Sequence, residues 1–225
     1  MPLDQDYLDS HPAFIDVEDD PELPRVLLIG DSISIGYTNP VRSLLAGEAN
    51  VHRPRENCLA TTWARHSLDR WLGDFAWDVI SFNFGLHDVS IVDGRPRVSL
   101  TMYLDRLTTF TERFAAQTKS LIWVSTTPVT PAFEERMRKQ SLQEPKTFLR
   151  LDKDIRAYND AAARLFGRLG VHIVDLYAHA LPHLAEMQIA RNVHFTEEGY
   201  AYLAKPVASA IRKHLRTKPK ASVGP

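Results

Sequence analysis

The stretch RVLLIGDS, from Arg25 to Ser32, decides the fold of this chain. Its apolar residues follow one another without alternation, which is typical of a strand buried on both faces of a parallel sheet. The glycine and the aspartate after them indicate a tight turn that ends the strand. We therefore predict that a parallel strand opens the globular part of the chain and that Ser32 lies in the turn that leaves it.

Strands and helices are predicted to alternate along the rest of the chain. Three more apolar runs indicate strands: WDVISFNFG from 77, SLIWVSTTPV from 120 and VHIVDL from 171. The more polar segment NVHRP from residue 50 is a weaker candidate and is assigned to the second strand. Apolar residues three and four apart predict helices at Pro40–Leu45, 61–72, Leu100–Thr118, Asp152–Leu169, Tyr177–Met187 and Thr196–Leu215, the last with Thr196 as N-cap. This alternation predicts an α/β fold with one doubly wound parallel sheet of about five strands.

Three segments fall outside this pattern. Residues 1–24 are acidic and carry four prolines, so we expect an N-terminal arm that buries no face of its own. Residues 130–150 are polar and mixed in charge; their length suggests a lid or an insertion within a domain spanning 25–216, although the run EERMRKQ is more typical of a solvated helix face. We expect residues 217–225 to form a disordered tail.

Composition and charge argue against several classes of protein. The 27 Lys and Arg balance 28 Asp and Glu, for a formal net charge of -1, so we expect no nucleic-acid partner. The single cysteine, Cys58, permits no internal disulfide and suits a reducing compartment. We find no signal-peptide pattern and no run of the roughly 18 apolar residues that a membrane span needs. These features predict a cytoplasmic protein, and the sequence is silent on its oligomeric state.

Several chemically active residues follow the predicted strands, whose carboxyl ends share one edge of the sheet. They are Asp31, Ser32, Gly85, Leu86, His87, Asp88, Thr126, Thr127 and Asp175. A serine in a glycine-flanked turn, a histidine and carboxylates are the components of nucleophilic acyl transfer. A further histidine, His194, immediately precedes the last helix region and is free to point back across this edge. We predict that Ser32 and His194 meet there as nucleophile and base.

The other candidate residues have structural interpretations. Asp31 and Asp88 are typical turn residues that accept backbone N–H bonds, and we assign them no proton transfer. His179 and His183 stand four apart on a predicted helix, but no carboxylate pattern accompanies them, so we expect no metal and no cofactor. Cys58 is more typical of a small buried residue than of a nucleophile.

Three blocks of the sequence resemble those of the SGNH, or GDSL, hydrolases. The blocks are GDSIS (Gly30–Ser34), GLHD (Gly85–Asp88) and VHFTEEGY (Val193–Tyr200). Their order and spacing are similar to those of that family, and the resemblance runs from residue 25 to about 214. It implies a flavodoxin-like three-layer α/β/α fold and esterase or lipase-type chemistry, with Ser32 as nucleophile and His194 as general base.

The chain departs from the family at three positions. The family's histidine is oriented by an aspartate three residues before it, where this chain has Arg191. The resemblance implies an oxyanion hole made by Ser32 together with a glycine N–H and an asparagine side chain, and Leu59 and His87 stand in those two places. His87 still carries a ring N–H to donate, but we expect its titration to make oxyanion stabilisation sensitive to pH.

Three groups can replace the missing acid as the acceptor for the ring of His194. They are a backbone carbonyl in the loop from Ile189 to Asn192, the side-chain oxygen of Asn192, and Asp175 at the end of the fifth strand. We favour the carbonyl, because the chain holds this loop close to the ring, and a neutral acceptor still selects the tautomer. Asp175 is expected to be structural.

Two functions are compatible with these residues. The first is a hydrolase of a small acyl or acetyl ester, including esters of carbohydrates, with a small-molecule ester as its partner. The second is a catalytically weakened SGNH domain that binds an ester, a glycan or an acylated partner, motivated by Arg191. Misorienting the base costs about 10⁴ in kcat in a serine protease and still leaves measurable catalysis, so we favour the enzyme. Thioesterase and lysophospholipase activities use the same serine chemistry and stay open.

Overall fold

A computed structural model of the protein describes residues 5–118, 120–144 and 148–216. Its strands are β1 (Arg25–Ile29), β2 (Asn50–His52), β3 (Val79–Phe82), β4 (Ile91–Val92), β5 (Arg95–Pro96), β6 (Leu121–Val124) and β7 (His172–Val174). β4 and β5 form a small antiparallel hairpin, and the others form one parallel sheet of five strands in the order β2-β1-β3-β6-β7. The predicted α/β class and flavodoxin-like sheet are confirmed.

The register of the sheet brings the strand ends together. Ile29 at the end of β1 lies opposite Phe82 at the end of β3, and Phe82 lies opposite Trp123 of β6. These three side chains are at most 1% exposed, as expected for strands covered on both faces. The loops that follow β1, β3 and β6 therefore leave the sheet at one common edge.

Helices cover both faces of this sheet. The helices of the described residues are α1 (Gln5–Ser10), α2 (Ser32–Leu44), α3 (Thr61–Ala64), α4 (Leu68–Leu72), α5 (Leu100–Ala115), α6 (Pro131–Gln143), α7 (Asp152–Leu169), α8 (Leu176–Ala180), α9 (Leu184–Met187) and α10 (Glu197–Arg216). α2 and α10 pack against each other, and α5 packs against α7. The ring of Phe82 contacts Phe114 of α5 and Phe166 of α7, with centroids 5.1 and 5.5 Å away.

The helix that follows β1 starts earlier than predicted. α2 begins at Ser32 rather than at Pro40, because the carboxylate of Asp31 caps it by accepting the N–H of Ile33 at 2.9 Å. Pro40 lies inside the helix. The sequence pattern showed the apolar end of this helix but not the capped first turn, which contains the proposed nucleophile.

Two other predicted helices are interrupted. The region 61–72 forms the short helices α3 and α4, and a 3-10 turn, Leu181–His183, separates α8 from α9. Pro182 in that turn lacks the N–H that a continuous helix needs. The predicted N-cap of α10 is confirmed, since the hydroxyl of Thr196 accepts the N–H of Gly199 at 3.1 Å.

The N-terminal arm packs on the domain, so the expectation that it buries nothing is wrong. Ala13 and Phe14 are 0% and 1% exposed and pack with Ile35 of α2. Burial of an aromatic ring offsets the entropy lost on ordering the arm. Asp9 also pairs with Arg55 at 2.8 Å. The predicted tail, residues 217–225, lies outside the described residues.

Residues 130–150 form a helix over most of their described length. The outer face of α6 is solvated, with an exposed ion pair between Glu135 and Lys139 at 2.7 Å, whereas Phe133 on its inner face is buried. A role of this segment as a lid stays a prediction. Among the helices that the structure describes, none has the length and apolar character needed to cross a bilayer.

The contact between α2 and α10 depends on a glycine. A Cβ at Gly36 would lie 2.2 Å from ring atoms of Tyr200, whereas a Cβ at Gly167 of α7 would meet no atom within 4 Å. We expect Gly36→Ala to lower the free energy of unfolding by about 1–3 kcal/mol through overpacking. Gly167→Ala, the matched helical control, should raise it by about 0.5–1 kcal/mol. Urea unfolding measures both, and equal effects would contradict this helix contact.

Candidate active site

Ser32 occupies the first position of α2, directly after the carboxyl end of β1. The first N–H groups of a helix have no partners within the helix, and its dipole is positive at this end. The buried carboxylate of Asp31 caps the helix by accepting one of these N–H groups, that of Ile33. The hydroxyl of Ser32 therefore lies where a developing negative charge is favoured.

His194 lies 162 residues further along the chain and contacts this serine. Its Nε2 is 2.9 Å from the hydroxyl oxygen of Ser32. The loop that carries it is anchored on both sides: Gln188 donates to the carbonyls of Pro128 and Val193 at 3.0 and 3.2 Å. Hydrogen bonds of the loop, rather than closeness in the sequence, thus hold the imidazole against the hydroxyl.

The side chain of Asn192 fixes the tautomer of His194. Its Oδ1 is 2.9 Å from Nδ1 of the ring and also accepts the backbone N–H groups of Val193 and His194, at 2.8 and 3.3 Å. Because two backbone donors converge on this atom, it must be the amide oxygen and not the nitrogen. An oxygen there requires the proton of the neutral ring to be on Nδ1. The lone pair of Nε2 then faces the serine hydroxyl.

This arrangement corrects the expected acceptor for the ring. We favoured a backbone carbonyl of the loop, which is wrong, since the nitrogen meets the side chain of Asn192 instead. The carbonyl of Arg191 accepts from Arg136 at 2.8 Å. Asp175 caps α8 by accepting the N–H of Ala178, and it also accepts the hydroxyl of Ser125, both at 3.0 Å, as expected for a structural residue.

The pKa of His194 is lowered from its usual 6.5. Burial is the main cause, because it disfavours the charged imidazolium, and the positive charge of Arg150 adds to it. Asn192 brings no negative charge to offset these effects. The ring is therefore neutral, and able to accept a proton, at neutral pH.

The GLHD segment follows β3 at the same edge of the sheet as Ser32. Gly85 has φ +152, and a Cβ there would lie 2.2 Å from the hydroxyl of Thr126, so this turn requires glycine. Asp88 is buried and accepts both the N–H and the hydroxyl of Thr61, at 2.9 and 2.6 Å. Asp88 thereby ties this segment to the loop of Leu59.

His87 is neutral across the physiological pH range. Burial, followed by the charges of Arg150 and Arg97, lowers its pKa to about 3. The expectation that its titration makes the site sensitive to pH is therefore wrong. A neutral imidazole always carries one N–H, so His87 remains a possible donor at every pH at which the protein would be assayed.

Leu59 takes the backbone conformation expected of a glycine position, with φ +54. Its N–H donates to the side-chain oxygen of Asn57 at 3.0 Å. In this structure the amide thus already has a partner, and it becomes available to a substrate only when the Asn57 side chain turns away. The neighbouring Cys58 is buried, which raises the pKa of its thiol to about 12 and leaves it unsuited to nucleophilic attack.

A cavity of about 440 Å³ opens beside His194. Its walls are formed by residues of α6, of the segment before α7 and of the His194 loop: Phe133, Arg136, Met137, Gln140, Glu144, Phe148, Arg150, Asn192, Val193 and His194. The sequence analysis missed Arg150, which carries no motif and lies between two predicted elements. Only its charge could have drawn attention to it there.

The structure gives no metal centre among the residues it describes, where no three His, Cys, Asp or Glu side chains come together. The ring of His179 stacks on Tyr202 at 4.1 Å, and that of His183 contacts the same tyrosine at 5.3 Å. These two histidines therefore serve in packing.

The three-layer fold, with the GDS turn of its first strand at the carboxyl edge, defines an ester hydrolase of the SGNH type. The sequence matches the GDSL-like Lipase/Acylhydrolase family over residues 28–202, and the chain belongs to that family. Among curated proteins, none matches this sequence significantly.

Solved structures support the fold at low identity. A lipase/acylhydrolase from Enterococcus faecalis superposes with a TM-score of 0.68 at 21% identity, over 88% of this chain and 100% of the other. An acetyl xylan esterase gives 0.64 at 17% identity, over 83% and 99% of the two chains. A catalytic mutant of an acetylxylan esterase from Geobacillus stearothermophilus gives 0.60 at 17%, over 87% and 95%.

Replacing Asn192 with aspartate is expected to raise the pKa of His194, because a carboxylate at this position stabilises the imidazolium while accepting the same N–H groups. Wild-type kcat/KM should rise with pH through a pKa below 6.5, since only the neutral ring accepts a proton, and the variant's rise should lie at higher pH. Its kcat should increase, by less than the roughly 10⁴ lost when a triad acid is neutralised. NMR titration of the ring and a pH–rate profile measure these effects.

Arg191→Asp is the matched control for this variant. Arg191 is exposed, and its carbonyl rather than its side chain is engaged near the loop, so the new carboxylate should change the pKa of His194 much less. A larger effect in Arg191→Asp than in Asn192→Asp would contradict the assignment of Asn192 as the orienting residue.

Proposed function

We propose that this protein hydrolyses carboxylic esters of small acyl groups through an acyl-enzyme on Ser32, with His194 as general base. The observation that carries the proposal is the pair of 2.9 Å contacts that link Ser32 to His194 and His194 to Asn192. Nucleophile, base and orienting group within hydrogen-bond reach are the signature of nucleophilic catalysis.

In the first step, Nε2 of His194 takes the hydroxyl proton of Ser32 as the serine oxygen attacks the ester carbonyl carbon. The π electrons of the carbonyl bond move onto its oxygen, which gives an oxyanion on a tetrahedral carbon. Asn192 holds Nδ1–H throughout, so that the protonated ring keeps its orientation. A neutral amide stabilises the imidazolium less than a carboxylate does, which predicts a slower enzyme than one with a complete triad.

The oxyanion is stabilised by donors at the ends of three segments. The N–H of Ser32 lies at the positive end of α2, and the neutral ring of His87 supplies a side-chain donor. The N–H of Leu59 joins them once the Asn57 side chain moves off it. Substrate binding that displaces Asn57 would then complete the oxyanion hole.

The tetrahedral centre collapses when the alkoxide leaves and takes the proton from Nε2 of His194. This yields a free alcohol and an acyl ester of Ser32. In the second half of the reaction, His194 accepts a proton from a water molecule while the water oxygen attacks the acyl carbon. The bond to the Ser32 oxygen then breaks, the proton returns from His194 to that oxygen, and the carboxylic acid is released. No cofactor is needed for this balance.

Short acyl groups suit the cavity of about 440 Å³ better than the long chains of membrane lipids. Two of the structural neighbours are acetylxylan esterases, which makes acetylated carbohydrates a natural class to test first. Thioesters and lysophospholipids react by the same serine chemistry and belong in the same substrate panel.

A second candidate is an SGNH domain that binds an ester, a glycan or an acylated partner with little turnover. Two features favour it: Asn192 brings no negative charge to the base, and the N–H of Leu59 already donates to Asn57. The two candidates predict different reactivity of Ser32, which covalent labelling measures.

A small fluorophosphonate should label wild-type protein at Ser32, and Ser32→Ala should show neither label nor ester hydrolysis. The expected loss in kcat approaches the roughly 10⁶ seen when a serine protease loses its nucleophile. The control is Ser43→Ala, which removes an exposed serine of the same helix. This variant should still be labelled at Ser32 and should hydrolyse esters at the wild-type rate. Intact mass and rates on p-nitrophenyl esters of increasing chain length are the measurements. An unlabelled wild type would favour the binding domain.

His87→Ala should lower kcat by roughly 10² to 10³, the effect of removing one oxyanion donor. His87→Asn should retain far more activity, because it restores a neutral N–H donor at the same place. Rates on one activated ester, with thermal unfolding as a check on folding, test the pair. If asparagine were as poor as alanine, His87 would not be acting as a donor.

A further inference from the structure

Arg150 has a guanidinium that is held firmly and used only in part. Its Nε donates to the carbonyl of Leu86 and to the hydroxyl of Ser90, at 2.9 and 3.0 Å. These bonds fix the plane of the group against the segment that carries His87. Within the described part of the chain, Nη1 and Nη2 make no hydrogen bond, so four N–H donors remain for another molecule.

Within the part of the chain that the structure describes, the charge of Arg150 also has no counterion. Among the described residues, no carboxylate forms an ion pair with Arg150. The negative charge of Asp31 acts on Arg150 from a distance, but that carboxylate is engaged in capping α2. Burial lowers the pKa of Arg150 to about 10, which leaves it protonated at neutral pH. A mostly buried cation without a partner is costly, and a bound anion offsets that cost.

The surroundings of Arg150 favour an anion in the cavity beside His194. Arg150 lines that cavity together with Arg136, and Glu144 is the acidic residue of the same wall. Arg97 is exposed and adds to the positive field at Arg150, with its guanidinium 4.5 Å from the ring centroid of Phe148. The positive charges of these three arginines thus outweigh the one carboxylate of the cavity wall.

We propose that Arg150 binds a carboxylate of the ester substrate through its two free Nη groups, so that the enzyme prefers esters that carry an anionic group near the reacting carbonyl. This inference rests on the proposed function. A guanidinium whose edge is open matches a carboxylate with two parallel bonds, a geometry that a lysine does not offer. The neighbouring side chains of Met137 and Phe148 would contact the apolar part of such a substrate.

A purely structural role needs only the Nε–H of Arg150. The loop contacts to Leu86 and Ser90 use no other part of the guanidinium. If Arg150 instead stabilised the oxyanion, its removal would slow every ester equally. Binding of a substrate carboxylate makes a different prediction, because only charged esters lose affinity.

The experiment compares each charged ester with its methyl-capped, neutral counterpart. Where the anion belongs to the acyl group, the pair is p-nitrophenyl hydrogen adipate and p-nitrophenyl methyl adipate. Where it belongs to the alcohol, the pair is 4-acetoxybenzoate and its methyl ester. Wild type should prefer the charged member of one pair by about 10- to 100-fold in kcat/KM, the range expected for a charge-assisted bidentate contact. Ser32→Ala provides the background rate.

Arg150→Gln should abolish this preference, lowering kcat/KM for the charged ester of the preferred pair by about 10- to 100-fold more than for its neutral counterpart. Arg150→Lys keeps the positive charge but loses the planar pair of Nη donors, so it should retain part of the preference for the charged ester. Lys139→Gln removes one positive charge from the outer face of α6 and should retain all of it. Thermal unfolding confirms that each variant is folded, and should Arg150→Gln fail to fold, the wild-type preference and Arg150→Lys carry the test.

Two results would overturn the inference: no preference for the charged ester in either pair by wild type, or an equal loss on charged and neutral esters in Arg150→Gln. Both leave the proposed function standing, since they require a wild type that hydrolyses neutral esters. Failure of the proposed function has another signature, namely a wild type that hydrolyses no ester and whose Ser32 takes no fluorophosphonate.

Discussion

The carbonyl oxygen of Gly30 joins the strand that leads to Ser32 to the loop that carries Leu59. It accepts the N–H of Cys58 at 3.2 Å and a guanidinium N–H of Arg53 at 3.3 Å. Arg53 is buried, and its other donors meet Pro54, Glu56, Ser34 and Thr38. A buried cation is tolerated only when its donors are satisfied, so this network fixes the loop at 53–59 against the first turn of α2. The positions of Ser32 and Leu59 follow from it.

The electrostatics of the site are set by neutral groups beside one strong cation. Asn192 orients His194 without a negative charge, and Arg150 disfavours the imidazolium. In the mechanism we propose, the base is thus neutral at neutral pH, but its protonated form in the transition state is poorly stabilised. A carboxylate bound to Arg150 would offset that positive charge and raise the basicity of His194 during the reaction. Substrate charge and base strength are linked in this arrangement.

Local signals in the sequence were sufficient for the strands but not for the helix ends. The central strands β1, β3 and β6 are largely apolar runs, and each was predicted close to its observed place. The start of α2 depends on one capping contact of Asp31, and the break between α8 and α9 on Pro182. Each of these features depends on a single side chain, and the spacing of apolar residues carries no information about it. The packing of Phe14 on α2 had no sequence signal at all, because it depends on a surface that forms only on folding.

The sequence by itself determined the α/β class, the succession of strands along the chain and the residue types expected at the carboxyl edge, including Ser32, His87 and His194. These follow from short-range patterns and from the shared edge of parallel strands. The tertiary structure alone decided that Asn192 orients the ring of His194 and that Arg150 reaches the same cavity, where its Nη groups bond to none of the described residues. Both depend on distances between loops far apart in the chain, which are fixed by packing and hydrogen bonds rather than by local preference.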